Sequence, residues 1–183
     1  MVKLPTLENI AIIKGPRHQK IIGDFGENLI CNWLSRSGFE VIIVDYTGID
    51  IVAYNSAFGR LGITVKSRTR TTGKEENSVN LFSYQGSKHP ADKNQHDKKN
   101  DRQKLLEACE AFACVPWIGI YIEATDYAEV YLTSLENYDQ NYRGRVGKAI
   151  DDWKMTLSNR KRYEEDPLVK HIRIDFRSTN WCW

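Results

Sequence analysis

The chain has 183 residues, of which 41% are hydrophobic and 27% are charged, and its formal net charge is +2. These values are ordinary for a globular protein and allow one domain with a sizeable core. No apolar run approaches the roughly 18 residues of a membrane span, and the N-terminus lacks the pattern of a signal peptide. We therefore expect a cytoplasmic protein without a membrane partner.

The small net charge conceals a strong segregation of charge along the chain. Residues 66–104 carry ten Lys or Arg against five acids, whereas residues 105–142 carry seven acids and no Lys or Arg. From residue 143 to the end, ten basic residues face six acidic ones. Basic segments on both sides of an acidic one suit a polyanionic substrate, although blocks in sequence need not be patches in space.

The first third of the chain predicts a helix followed by three strands. Apolar residues recur at helical spacing over residues 17–37, and Gly38 is placed to end that helix. Short apolar runs bounded by turn residues then predict strands at residues 40–45, 49–54 and 61–68.

The remainder predicts a second helix, more strands and a third helix. Residues 69–100 form a long polar stretch, after which Asp101 can cap a helix that runs to about residue 113. The later elements are strands at residues 116–123 and 128–133, a helix at 147–162 and a strand at 169–176.

This order of elements predicts the fold class and the organisation of the chain. A meander of three strands followed by a helical crossover implies a mixed central sheet with helices packed on it, an α/β or α+β fold. We expect a lead-in at residues 1–16, a core domain at 17–140 and an extension of helix and strand at 141–183 that packs on the core.

Three residues on neighbouring strands form the first part of a candidate site. Side chains alternate across a strand, so Thr64 and Lys66 share one face of the third predicted strand. The hairpin brings Asp50 opposite, or nearly opposite, these two residues. A shift of register by one residue would instead place Asp50 and Lys66 on different faces, and the sequence leaves this alternative open.

Glu27 on the leading helix completes the candidate site. It falls at the edge of the apolar stripe of that helix, one turn after Gly23, so it could reach over the edge of the sheet. The carboxylates of Glu27 and Asp50 and the main-chain carbonyl of Val65 would form an oxygen site suited to Mg²⁺ or Mn²⁺. Lys66 would then act on the water or on the phosphate charge.

The motif residues resemble the PD-(D/E)xK nuclease superfamily, in particular archaeal Holliday-junction resolvase-like and restriction endonuclease-like proteins. The matching pieces are the Gly23-Asp-Phe-Gly-Glu27, Gly48-Ile-Asp50-Ile-Val and Ile63-Thr64-Val65-Lys66 segments. The resemblance implies a restriction endonuclease-like αβββαβ core and a Mg²⁺- or Mn²⁺-dependent endonuclease acting on DNA. It also implies metal ligation by Glu27 and Asp50 and catalysis by Lys66.

Thr64 departs from the family pattern, which has an acid or sometimes Gln at this position. A hydroxyl carries no full negative charge, so Thr64 would be only a weak metal ligand. The alternative to an active enzyme is a nucleic-acid-binding module that keeps the nuclease-like fold. A third hypothesis is a protein-interaction subunit that docks through its acidic segment, residues 105–142, and its aromatic C-terminus.

Further residues are candidates for binding the nucleic-acid backbone on either side of the cleaved bond. They are polar or basic, and they follow Lys66 on the strand or lie in the long polar stretch: Ser67, Arg68, Arg70, Lys88 and Lys93. Cutting both strands of a duplex would favour a homodimer. The terminal segment Trp181-Cys-Trp183 is expected either to pack back on the domain or to form a dimer contact.

Overall fold

The structure is a computed structural model that describes residues 12, 14–70, 78–82, 100–145 and 150–176. Its elements in chain order are α1 (His18–Arg36), β1 (Glu40–Tyr46), β2 (Ile49–Asn55), β3 (Gly59–Thr69), β4 (Val79–Asn80), α2 (Asp101–Ala111), β5 (Val115–Glu123), β6 (Tyr127–Ser134), α3 (Leu135–Asn141), β7 (Asp152–Trp153), α4 (Leu157–Glu165) and β8 (Lys170–Asp175). No helix in these ranges has the length and apolar character needed to cross a membrane.

A six-stranded mixed sheet forms the centre of the molecule. Its strand order is β1-β2-β3-β5-β6-β8, and β3 with β5 is its one parallel pair. Parallel neighbours need a crossover connection, which here contains α2. The sheet and its flanking helices confirm the predicted α/β or α+β class. The C-terminal segment contributes β8, which pairs with β6 at one edge of this sheet.

Helices cover the two faces of the sheet unequally. On one face, Ile22, Ile30 and Leu34 of α1 pack against alternate residues of β2, β3, β5 and β6. On the other face, α2, α3, α4 and the small β4–β7 sheet enclose a larger core that includes the fully buried Trp153 and Tyr138. We call these the α1 face and the α2 face.

Gly26 lets α1 approach the sheet at the point where β3 and β5 lie side by side. A Cβ atom on Gly26 would lie 2.6 Å from the Ser67 hydroxyl and 2.8 Å from Cβ of Tyr121. The Nε2 atom of Gln19 also donates to the Ser67 carbonyl at 3.3 Å. Because the helix cannot shift outward without losing these contacts, Gly26 sets the height of α1 over the sheet.

Gly48 is required in the β1–β2 turn for two reasons. Its φ angle of 100° lies in the left-handed region that L side chains rarely adopt. A Cβ atom there would also meet the Lys104 carbonyl group at 2.5 Å. The turn that leads into Asp50 is therefore packed directly against α2.

The predicted helix at residues 147–162 is wrong in its first half. Residues Asp152–Trp153 form β7, which pairs with β4, and the helix begins only at Leu157. The Thr156 side chain accepts a hydrogen bond from the amide of Asn159 and so caps α4 at that point. Trp153 occupies the core on the α2 face. Tertiary packing thus overrides the local helical pattern.

Helix α3 was not predicted from the sequence, and the N-cap of α2 was predicted at the wrong residue. Helix α3 follows β6 without a loop, because the Ser134 side chain accepts a hydrogen bond from the Asn137 amide. Helix α2 is capped by Asn100, one residue before the predicted Asp101. Within the long polar stretch at residues 69–100, the side chains of Val79, Leu81 and Phe82 are buried in the core, and Val79–Asn80 forms β4.

Substituting the two glycines of α1 should give opposite changes in stability. Gly23→Ala meets no atom within 4 Å, so it should stabilise the protein by roughly 0.5–1 kcal/mol, the usual helical preference for Ala. Gly26→Ala forces a contact with Tyr121 and should instead destabilise it by about 1–3 kcal/mol. Urea unfolding of both variants measures the difference, and equal effects would contradict the close approach of α1.

Candidate functional site

Asp50 lies where β2 and β3 separate. The pairing of β2 with β3 begins at Asn55↔Gly59 beside the hairpin turn. Its last pair is Ile51↔Ile63, so Asp50 is the first residue of β2 beyond the paired region. There the Asp50 Oδ2 atom accepts hydrogen bonds from the Val65 amide at 2.6 Å and from the Thr64 hydroxyl at 3.1 Å. The carboxylate thus takes the place of the backbone acceptor that β2 no longer supplies. The structure brings Asp50, Thr64 and Val65 together.

The carbonyl of Val65 faces the same opening. The amide and carbonyl of one strand residue point to the same side of the strand, and the Val65 amide donates to Asp50. The Val65 carbonyl oxygen is therefore turned toward the Asp50 side of β3. With the Asp50 carboxylate it offers the oxygen donors that Mg²⁺ and Mn²⁺ prefer, so these residues fit the expected metal.

Lys66 is on the same face of β3 as Thr64. The two residues pair with Ile120 and Ile118 of β5, which belong to the core on the α2 face. The register alternative that would separate Lys66 from the Asp50–Thr64 pair is thus not the one adopted. Lys66 is half-buried, and in the described part of the chain no carboxylate lies within ion-pair distance of its ammonium group.

Glu27 approaches from the opposite face of the sheet. Phe25 contacts Tyr121 of β5, and Trp33 lines a groove with residues of β6 and β8. The other flank of α1, which carries Glu27 and Cys31, is therefore turned toward β1 and β2. Burial raises the pKa of the Cys31 thiol, and the Glu27 charge raises it further.

The convergence of all three predicted catalytic residues stays a prediction. Helix α1 packs on the α1 face, whereas Lys66 belongs to the α2 face by strand alternation. Glu27 and Lys66 could meet one ion only at the opening beside Asp50, where the separating strands leave the sheet incomplete.

The predicted backbone-binding residues fall in different environments. Ser67 is buried under Gly26, and Arg70 is buried at the end of β3, where its amide donates to the Glu123 carbonyl. Arg68 is exposed, and its guanidinium donates to the Ser67 carbonyl. Lys88 and Lys93 lie outside the described residues, as does the Trp181-Cys-Trp183 segment.

A second group of potential metal ligands was missed in the sequence. One carboxylate oxygen each of Glu129 and Glu164 and a ring nitrogen of His171 lie within 4.8 Å of one another and could hold a metal ion. Glu129 is 2% exposed, and its carboxylate also lies 3.2 Å from both Arg160 and Arg173. The three residues come from β6, α4 and β8, so no spacing in the sequence could have revealed the group.

The arginines dominate the chemistry of this second group. Two guanidinium groups neutralise Glu129 and would compete with a cation for its oxygens. Burial, followed by the charges of Glu129 and Glu164, raises the pKa of the neighbouring Tyr131 hydroxyl, which stays neutral. The arrangement is well suited to join β6, β8 and α4 through charge, and the metal it would accept is not defined by its geometry.

No protein-family model matches this chain, and a search of curated proteins finds no match to its sequence.

Replacing Thr64 with Asp should make the stability of the protein depend on divalent metal. A second carboxylate beside Asp50 repels the first, so Thr64→Asp should lower stability in EDTA by about 1–3 kcal/mol. Mn²⁺ would offset this repulsion and raise Tm more than in the wild type. Thermal unfolding with and without Mn²⁺ measures the effect. The uncharged control Thr64→Asn should show no added response, and an equal response of both variants would contradict a metal site here.

Proposed function

We propose that this protein is a metal-dependent endonuclease of the PD-(D/E)xK type that hydrolyses phosphodiester bonds in DNA. The observation that carries the proposal is the position of Asp50 at the β2–β3 opening, held by the Val65 amide and the Thr64 hydroxyl. Lys66 lies two residues after Thr64 on β3. Helix α1, the central-sheet strands β1–β3, helix α2 and strand β5 follow one another in the order αβββαβ, with the short β4 of the second sheet between β3 and α2.

The chain offers an oxygen-rich environment for the metal. Asp50 and the Val65 carbonyl would hold it, with Glu27 as the ligand that the family resemblance implies and Thr64 as a weak one. When bound, Mg²⁺ or Mn²⁺ would acidify a water molecule and offset negative charge on the phosphate. The Oδ2 atom of Asp50 already accepts two hydrogen bonds, so its Oδ1 atom would be the oxygen open to a metal.

Lys66 supplies the positive charge of the site. Its ammonium group is a compact point charge that can orient the attacking water or stabilise the charge that builds up on the phosphate. No acid in the described ranges neutralises it, so its charge is available to a phosphate. Arg68, exposed on the same strand, would position the neighbouring backbone. We further propose a cytoplasmic homodimer that binds branched or duplex DNA.

One observation favours the alternative, a nucleic-acid-binding module without strong catalysis. Thr64 is buried and its hydroxyl donates to Asp50. The position that usually supplies a second acid thus supplies a hydrogen bond instead, which reduces the negative charge available to a cation. Binding of DNA that weakens with salt, without cutting in any divalent metal, would select this alternative.

Cleavage of plasmid DNA in Mn²⁺ tests the enzyme directly. The wild type should nick or linearise the plasmid, and Lys66→Ala should reduce the rate at least about 100-fold because the charge facing the phosphate is lost. Lys161→Ala removes an exposed lysine of α4 and should cut at the wild-type rate. Undiminished cutting by Lys66→Ala would contradict the assigned role. Absence of DNA binding at low salt would leave the protein-interaction hypothesis.

Calorimetric titration with Mn²⁺ tests the metal site independently of cleavage. The wild type should show a binding event that Asp50→Ala and Asp50→Asn both lose, because each removes the carboxylate charge. Asp50→Asn keeps an acceptor for the Val65 amide and should stay folded, whereas Asp50→Ala leaves that amide unpaired and should cost about 1–3 kcal/mol. Unchanged Mn²⁺ binding by Asp50→Asn would place the metal elsewhere, with Glu129, Glu164 and His171 the next group to substitute.

A further inference from the structure

Tyr46 and Phe112 form an exposed aromatic pair between β1 and the end of α2. Their ring centroids lie 5.0 Å apart at an interplanar angle of 90°, and the rings belong to residues that are 50% and 40% exposed. Tyr46 is the register partner of Ile49, so it lies one strand away from the residue that precedes Asp50. The Tyr46 backbone thus lies on the strand next to the one that carries Asp50.

The local backbone directs the Tyr46 ring to this position. The register of β1 against β2 shifts between Ile43 and Tyr46, and such irregularities re-aim a side chain and often occur near functional sites. The following turn is packed against α2 through Gly48. Phe112, the C-cap residue of α2, packs against the Tyr46 ring in a T-shaped arrangement. The tyrosine ring is therefore held in place while half of its residue surface stays accessible.

A positive charge accompanies the aromatic pair. The Arg60 Nη1 atom donates to the Phe112 carbonyl at 2.8 Å, and no acid in the described ranges forms an ion pair with Arg60. Arg60 and Lys66 alternate onto the same α2 face of β3, Arg60 beside the hairpin turn and Lys66 beyond the last pair with β2. Exposed aromatic rings near unneutralised cations are what single-stranded nucleic acids require for base stacking and backbone contact.

We propose that Tyr46, supported by Phe112, stacks on an unpaired base next to the phosphodiester bound at Asp50. This inference rests on the proposed function and specifies its substrate class as DNA with single-stranded or displaced nucleotides near the cleaved bond. A base inside a duplex is covered on both faces by its neighbours and cannot reach the ring without leaving the stack.

Fluorescence anisotropy with labelled oligonucleotides in EDTA tests the stacking without any cleavage. Tyr46→Ala should weaken binding of a single strand about 5- to 150-fold, the range that one stacked base contributes, and should leave duplex binding unchanged. Tyr46→Phe keeps the ring and should bind as the wild type does. The matched control is Phe58→Ala, which removes an exposed ring that stacks on Phe39 rather than on Tyr46 or Phe112.

The outcomes separate this inference from the proposed function. Three results would overturn the stacking. The wild type binds neither single-stranded nor duplex DNA, Tyr46→Ala weakens the binding of both equally, or Tyr46→Ala leaves the affinity for the single strand unchanged. A dimer that Tyr46→Ala converts to monomer, with single-strand binding intact, would overturn it in favour of self-association. Tyr46-dependent binding without cutting in Mn²⁺ would support the stacking and reject the nuclease. Cutting that depends on Lys66, together with DNA binding that does not depend on Tyr46, would support the nuclease and reject the stacking.

Discussion

The hydrogen bonds from the Val65 amide and the Thr64 hydroxyl to Asp50 are the constraint on which the candidate site depends. When β2 leaves β3, a half-buried amide loses its backbone partner, and an unpaired buried amide costs roughly 1–3 kcal/mol. The carboxylate of Asp50, the second residue of β2, accepts a hydrogen bond from this amide and is thereby fixed at the opening. The same need therefore explains both a structural role for Asp50 and its suitability as a metal ligand, since one oxygen anchors it and the other stays available.

The opening also defines how the two faces of the sheet can cooperate. Helix α1 is held at close range by Gly26 and turns Glu27 toward β2, while Lys66 follows the strand alternation to the α2 face. A complete sheet would separate these side chains. The opening where β2 and β3 diverge, beside Asp50, is therefore the place at which the predicted convergence of Glu27 and Lys66 can be tested.

The segregated charges of the sequence are paired across the fold. Glu129 of the acidic segment contacts Arg160 and Arg173, and Asp139 contacts Arg102 and Arg143. Blocks of opposite sign in sequence thus become neighbours in space, so the acidic segment is less available as a docking surface than its composition suggests. The three cations of β3, Arg60, Lys66 and Arg68, do not take part in this pairing within the described ranges, and their unneutralised charge is what favours a nucleic-acid ligand.

Helix α1, the meander β1–β3 and strands β5, β6 and β8 could be predicted from the sequence, as could the placement of Asp50 and Lys66 on neighbouring strands, because periodicity and turn residues act locally. It did not determine α3, β7 or the start of α4, since caps and the burial of Trp153 overrode the local pattern. The register at Asp50, the face from which Glu27 approaches, and the grouping of Glu129 with Glu164 and His171 became visible only in the folded chain. These depend on contacts between distant segments, whose energies no local pattern encodes.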